Sequence, residues 1–257
     1  MKYIGPRQFV GLQNYIDVFT RPDTLSSLKL SLYYMVGALI QVALALYLST
    51  MLAFKVRGGS AFKAIYFFPY LINGIAVGFI FKFFYTRGYV FDTVLQWCGF
   101  QLDNLPYWLK DQSVNNWSLV GASVWRYLGQ NVILFIGAMM SIDSTLYEAA
   151  EIDGATDFQI FTRIMLPAIR PILIVIFLFS FTGAWNDFLW PTLVFNDINK
   201  MPVTAGLQLL SNQMGQYNQM GSLMAATCMA IIPTLLLFLF AQKYFLQSLN
   251  ITSGLKG

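Results

Sequence analysis

The 257-residue sequence has no histidine and little charge: Asp, Glu, Lys and Arg make up 11% of it, against 57% hydrophobic and 17% aromatic residues. A soluble domain carries roughly a quarter charged residues. The chain is short of the charge that keeps a globule in water, and its composition fits lipid as the solvent. Without histidine there is no Ser-His-Asp triad, no HExxH zinc site and no haem held by His. Two cysteines, Cys98 and Cys228, cannot build a disulfide framework, and Cys228 lies in an apolar run. Lys and Arg number 16 against 12 acids, but the excess is scattered and forms no basic stripe of the kind nucleic acid needs. The first 27 residues hold Lys2, Arg7, Asp17, Arg21 and Asp23 without a sustained apolar core, so they do not read as a signal peptide.

What the sequence does have is long apolar runs. A helix crosses the roughly 30 Å hydrocarbon layer with about 20 mostly apolar residues. Five stretches qualify, about 31–54, 64–85, 119–140, 167–190 and 221–240. The first is closed by Lys55 and Arg57; the second is broken by Pro69 and Gly74; the fifth contains Pro233. Proline and glycine are tolerated in spans because neighbouring helices re-satisfy the freed backbone groups. The expected fold is an all-α, polytopic transmembrane helix bundle, with residues 1–30 as an extracytoplasmic segment and 31–257 as the transmembrane domain. The Lys/Arg excess belongs on the cytoplasmic side. Placing 141–166 inside puts Lys55, Arg57, Lys63, Arg163, Arg170, Lys243 and Lys256 there, against Lys2, Arg7, Arg21, Arg87, Lys110 and Lys200 outside, a bias that decides little.

Two polar connections, about Thr86–Ser118 and Pro191–Met220, are rich in Asn, Asp, Gln, Gly and Trp. A third, 141–166, carries five of the 12 acids. Within it Thr145–Asp153 reads as a short helix opened by a Thr145/Glu148 capping box. Gly154 stops that helix, being free to adopt positive φ. Thr156 and Gln159 offer a second capping box for Asp157–Met165, and Leu166-Pro167 is expected to turn the chain back into the membrane. Leu146, Ala149 and Ala150 share one side at i, i+3, i+4 spacing, bordered by Glu148 and Glu151. An amphipathic helix between two spans often does nothing more than face solvent.

The spacing says more. Glu148-Ala149-Ala150, three residues, Gly154, nine residues, Ile164, one residue and Leu166-Pro167 resembles the EAA-x3-G-x9-I-x-LP signature of permease subunits of binding-protein-dependent ABC importers. The stretch Tyr147–Ala155 (YEAAEIDGA) resembles the carbohydrate branch, the maltose, glycerol-phosphate and raffinose type systems. Phe9–Tyr15 (FVGLQNY) is similar to one of the two paired sugar permeases, whereas Trp185–Pro191 (WNDFLWP) and the tail Phe245–Gly257 are similar to the other. The resemblance implies a further span ahead of Phe9, so the sequence is expected to be shortened at its start.

That resemblance implies a coupling helix seated on a separate ATPase subunit. The chain has no GxxxxGK[ST] phosphate loop, so no catalytic residue, metal or cofactor is assigned to it, and ATP with Mg belongs to the partner. The implied partners are a second permease subunit, two ATP-binding subunits, an extracytoplasmic solute-binding protein, the sugar and membrane lipid, with no nucleic acid. The coupling residues would be Leu146, Glu148, Ala149, Ala150, Gly154, Ile164, Leu166 and Pro167, with Glu148 as anchor, the alanines as close-packed face and Gly154 as joint.

Sugars are bound by aromatic faces and by side chains that match hydroxyls. Polar residues inside spans are expensive and mark functional candidates. Asn73, Trp125, Gln130, Asn131, Trp185, Asn186 and Asp187 meet that description. Each has a plainer reading: Trp185 and Trp190 as an interfacial aromatic belt, Asn and Gln as helix-to-helix bonds, and Lys82, Arg126 and Asp187 as snorkelling or paired charges near span ends. Trp108, Trp117 and Asn115–Asn116 in the first long connection are candidate contacts for the solute-binding protein. An importer of amino acids or peptides, or an ion-driven secondary transporter, are the alternatives. Against the second stand the missing internal repeat and the lack of a mid-span carboxylate.

Overall fold

The computed structural model describes residues 9–20, 22–53, 58–195, 201–213 and 220–253, and among them the chain is helical with no strand. The first elements are α1 (Gln13–Thr20), α2 (Pro22–Ala53), α3 (Gly59–Leu71), α4 (Gly74–Phe84), α5 (Val90–Trp97) and α6 (Asn115–Met140). Then come α7 (Ser144–Ile152), α8 (Asp157–Ile160), α9 (Leu166–Trp185), α10 (Leu189–Val194), α11 (Val203–Gln213) and α12 (Met220–Ser253). Lys55, Arg57, Lys200, Lys256 and the end of the tail lie outside the described residues, as do Lys2, Arg7 and Arg21.

Among the described residues four helical runs are long and apolar enough to cross a membrane, Ser26–Ala53, Asn115–Met140, Asp157–Val194 and Met220–Phe245. They correspond to four of the five expected spans, with helices that start earlier or end later because polar flanking turns continue the backbone hydrogen bonding. The remaining span, 64–85, is not one straight helix. It is α3 and α4, bent by 97°. The break lies at Ile72 and Asn73, both extended (ψ 133° and 138°), and the Asn73 side chain accepts from the Ile75 N–H at 2.9 Å to start α4. Pro69 itself sits inside α3.

The fourth span also differs from expectation. No turn occurs at Leu166-Pro167: α8 runs through a π-helical turn, Phe161–Met165, straight into α9. There the Leu166 N–H reaches back five residues to the Phe161 carbonyl. The wider turn admits Pro167, whose ring would otherwise crowd the carbonyl four residues back. At its far end α9 stops at Trp185, and α10 is a separate short helix.

The chain forms two compact units, through both of which α2, α6, α9 and α12 run. Unit 1 comprises Asn73–Ala122, Gly183–Leu236 and the chain up to Val36; unit 2 comprises Gly37–Ile72, Ser123–Thr182 and the chain from Leu237 on. In unit 2, Val42, Ala45 and Leu52 of α2, Val132, Phe135, Ile136 and Met139 of α6, and Ile169 and Ile176 of α9 make one buried cluster. There α6 lies on α3 so closely that a Cβ on Gly129 would fall 1.8 Å from the Tyr66 carbonyl oxygen. In unit 1, Gly78 gives α10 similar room, since its Cβ would meet Leu193 at 2.6 Å and Trp190 at 3.4 Å.

Unit 1 also contains a built connection where the sequence reads only as polar. Asp92, fully buried, accepts from the Gly88 N–H at 2.6 Å and from Trp108 Nε1 at 2.7 Å. Arg87 donates to the carbonyls of Leu102 and Leu105 and lies 4.9 Å from the centroid of the Tyr107 ring. A buried carboxylate is tolerated only when such bonds replace water.

Candidate functional site

The elbow in unit 2 is built by local capping. Asp143, not Thr145, caps α7: its Oδ1 accepts the Thr145 N–H at 3.0 Å. The expected Thr145/Glu148 box gives way because a carboxylate two residues earlier meets the orphan amides and the positive end of the helix dipole. Those bonds hold the Asp143 carboxyl below its ordinary range. At the other end the Ala155 N–H bonds the Ala150 carbonyl at 2.9 Å and the Gly154 N–H bonds that of Glu151 at 3.0 Å, with Gly154 at φ 75°. This is a Schellman closure with its glycine in place. The second capping box forms as expected: Gln159 Oε1 accepts the Thr156 N–H at 2.9 Å while Thr156 Oγ1 accepts the Gln159 N–H.

The faces of α7 are not those the i, i+3, i+4 spacing predicts. Ala150 is buried, while Leu146 and Ala149 are exposed. Tyr147 packs against the cluster of unit 2, and burial pushes its hydroxyl above the ordinary range. A cavity of about 840 Å³ lies on this inner side, with Tyr147 and Glu151 of α7 facing Leu46, Tyr47 and Met51 of α2 and Phe161 beyond α8. On α7 Leu146, Glu148, Ala149, Glu151 and Ile152 are exposed, Ile152 at 86%, and past Gly154 Phe158, which also lines the cavity, is 74% exposed. Ile152, three positions after Ala149 and four after Glu148, shares their side of the helix although the i, i+3, i+4 spacing from Leu146 does not reach it. Ile164 and Leu166 are half-buried in and just after the π turn, and Pro167 is exposed.

Of the seven polar and aromatic path candidates, Asn73, Trp185, Asn186 and Asp187 belong to unit 1, and Trp125, Gln130 and Asn131 to unit 2. Asn73 is spent on capping α4. Trp185 is buried, donates from Nε1 to the Ala230 carbonyl at 3.0 Å and accepts at its own carbonyl from Thr204. Trp190 is buried too, against Phe81, so neither tryptophan forms an exposed belt. Asp187 accepts the Trp190 N–H at 3.4 Å across the break between α9 and α10, and Asn186 beside it is exposed. Asn131 is buried and donates to Ser180 Oγ at 2.8 Å. Gln130 is half-buried and Trp125 40% exposed. Arg126 lies 5.0 Å from the centroid of the Tyr127 ring, and Lys82 is exposed in the last turn of α4. Asn115 and Asn116 are buried, which removes them as docking contacts.

Residues 30–251, which include the elbow and α3 to α11 entire, match the family described as binding-protein-dependent transport system inner membrane component. The chain belongs to that family. It is an integral membrane protein and a component of a transport system. Among relatives of this inner membrane component, the osmoprotective compounds uptake permease protein GgtC of Synechocystis sp. is 35% identical over 175 residues, 66% of this chain and 62% of GgtC's own length. The arabinooligosaccharides transport system permease protein AraP of Bacillus subtilis is 28% identical over 254 residues, 93% of this chain and 77% of AraP. The fold matches a chain in the crystal structure of a bacterial ABC transporter involved in the import of the acidic polysaccharide alginate. The TM-score is 0.80 at 22% identity, covering 92% of this chain and 84% of that one.

Proposed function

We propose that this chain is the permease subunit of an ATP-driven importer that carries a sugar, as mono- or oligosaccharide or a derivative, across the bacterial cytoplasmic membrane. The observation that carries the reading is the elbow: two separately capped helices hinged at Gly154, with Glu148, Ala149, Ile152 and Phe158 turned outward in a chain of this family. Family membership and the carbohydrate named for AraP and for the alginate transporter support it.

In this reading the elbow lies on the cytoplasmic side, and two ATP-binding subunits hold ATP and Mg while this chain binds no cofactor. A second permease completes the path, and a solute-binding protein delivers sugar from outside. Closure of the ATPase pair moves the outward face of α7. Tyr147 and Ala150 pass that movement to the cluster against which α2, α6 and α9 are packed. The elbow is short and capped at both helices, so it moves as a lever rather than unwinding.

Uptake of a labelled sugar panel into vesicles holding the purified assembly tests this. Accumulation that needs internal ATP and the ATPase partner is expected, whereas accumulation driven by an imposed ion gradient without ATP overturns it.

A further inference from the structure

A separate feature of unit 1 lies on α5, which the proposed function places on the outer side. On α5, Phe91 packs between Phe84 (5.3 Å between ring centroids), Tyr85 (5.4 Å) and Trp108 (4.8 Å), and Asp92 is buried beneath Gly88 and Trp108. The helix is therefore held by one side. Its other side shows Val90, Val94 and Trp97, at 51%, 41% and 82% exposure, followed by Phe100. Positions 90, 94 and 97 are one turn apart and form a single stripe. The only charge of α5 is the inward Asp92, so this stripe carries none.

The stripe continues an apolar surface. Tyr89, exposed, has its ring centroid 6.3 Å from that of Phe83, and Phe83 follows Phe79 and Ile75 at four-residue steps along the exposed side of α4. That helix is half of the bent pair α3–α4, which together is long and apolar enough for the membrane. Lys82 is exposed in its last turn, and a lysine there can carry its ammonium to lipid phosphate while its stem stays on apolar surface.

We infer that α5 is an interfacial helix, its Val90–Val94–Trp97 stripe embedded in the outer leaflet at the boundary between headgroups and acyl chains. The occupant is lipid because the stripe is continuous with the exposed apolar side of α4, a helix of membrane composition, and lacks the charged and polar rim of a surface that meets a soluble protein. Tryptophan and tyrosine at the ends of such a stripe have the amphipathic rings that favour this depth. The helix then anchors the connection folded around Asp92 and Arg87 to the bilayer.

Cys98, exposed and next to Trp97, supplies a native probe. In a Cys228→Ser background of the assembled importer in phosphatidylcholine–phosphatidylglycerol vesicles, Cys98 is labelled with an environment-sensitive fluorophore. Val94→Cys and Asn104→Cys, each with Cys98→Ser, are labelled in parallel. Labels at 94 and 98 are expected to be quenched by nitroxide placed high on the acyl chain more than by nitroxide near its end, at a depth of about 5–10 Å. The label at Asn104, exposed on the same connection, should be quenched by aqueous iodide instead. Iodide quenching at 94 and 98 equal to that at 104 overturns the inference. So does absence of lipid quenching combined with shielding of both labels by added solute-binding protein. The native Cys98 label keeps the test open if Val94→Cys does not fold.

Discussion

Asn131 of α6 donates from Nδ2 to the Ser180 hydroxyl of α9 at 2.8 Å, and the asparagine is buried. A polar side chain that reads as a sugar contact is thus used to tie two helices of unit 2 together. Interhelical bonds of this kind contribute about 0.6 kcal/mol on average, and up to about 1.7. Asn131→Ala and Ser180→Ala should each lower the thermal midpoint of the purified protein, and the double variant should be no worse than Asn131→Ala alone. The apparent affinity of uptake should be unchanged. A weakened affinity in Asn131→Ala but not in Ser180→Ala would return Asn131 to the path.

Gly129 and Tyr66 set the distance between α6 and α3. A methyl group at 129 would fall on the backbone carbonyl of Tyr66, which cannot swing aside as a side chain can. Gly129→Ala should cost about 1–3 kcal/mol by overpacking, read as a lower midpoint and reduced yield in membranes. Gly137, on the same helix with nothing within 4 Å of its would-be Cβ, is the control. Gly137→Ala should be neutral or stabilise by up to about 1 kcal/mol through helix propensity.

Gly154 holds the elbow at φ 75°, a conformation that costs a residue with a Cβ about 1–2 kcal/mol, and a β-branched one more. Gly154→Val should abolish sugar-stimulated ATP hydrolysis by the assembled importer while the chain still inserts and purifies with its permease partner. Asn is tolerated in this region, so Gly154→Asn should recover much of the coupling. Full transport in Gly154→Val would detach the joint from function.

The cap of α7 predicts a pH dependence. The Thr145 N–H, and after it the Thr145 hydroxyl, favour the charged form of Asp143, so its folded pKa lies below the ordinary carboxylate value. The stabilisation is therefore present above the unfolded pKa and is lost as pH falls through the folded one. The protection factors of the α7 amides, with the intrinsic pH dependence of exchange divided out, should be steady near neutral pH and fall in acid below the usual carboxylate range. Asp143→Asn, which still accepts the bond, should make that protection less sensitive to acid, and Asp143→Ala should lower it at every pH.

The number and rough position of the apolar runs, the joint at Gly154 and the Thr156/Gln159 box follow from the sequence by itself. Each depends on forces acting within a few residues: apolar length against bilayer thickness, a side chain bonding an amide three positions away, a glycine where φ turns positive. The tertiary structure alone decided that Asn131 bonds Ser180, that Trp185 bonds Ala230, that Asp92 is buried beneath Trp108, and that Ala150 rather than Leu146 faces inward. A buried polar group takes whichever partner packing brings to it. That partner lies 49 residues away for Asn131 and 45 for Trp185, beyond the reach of any local pattern.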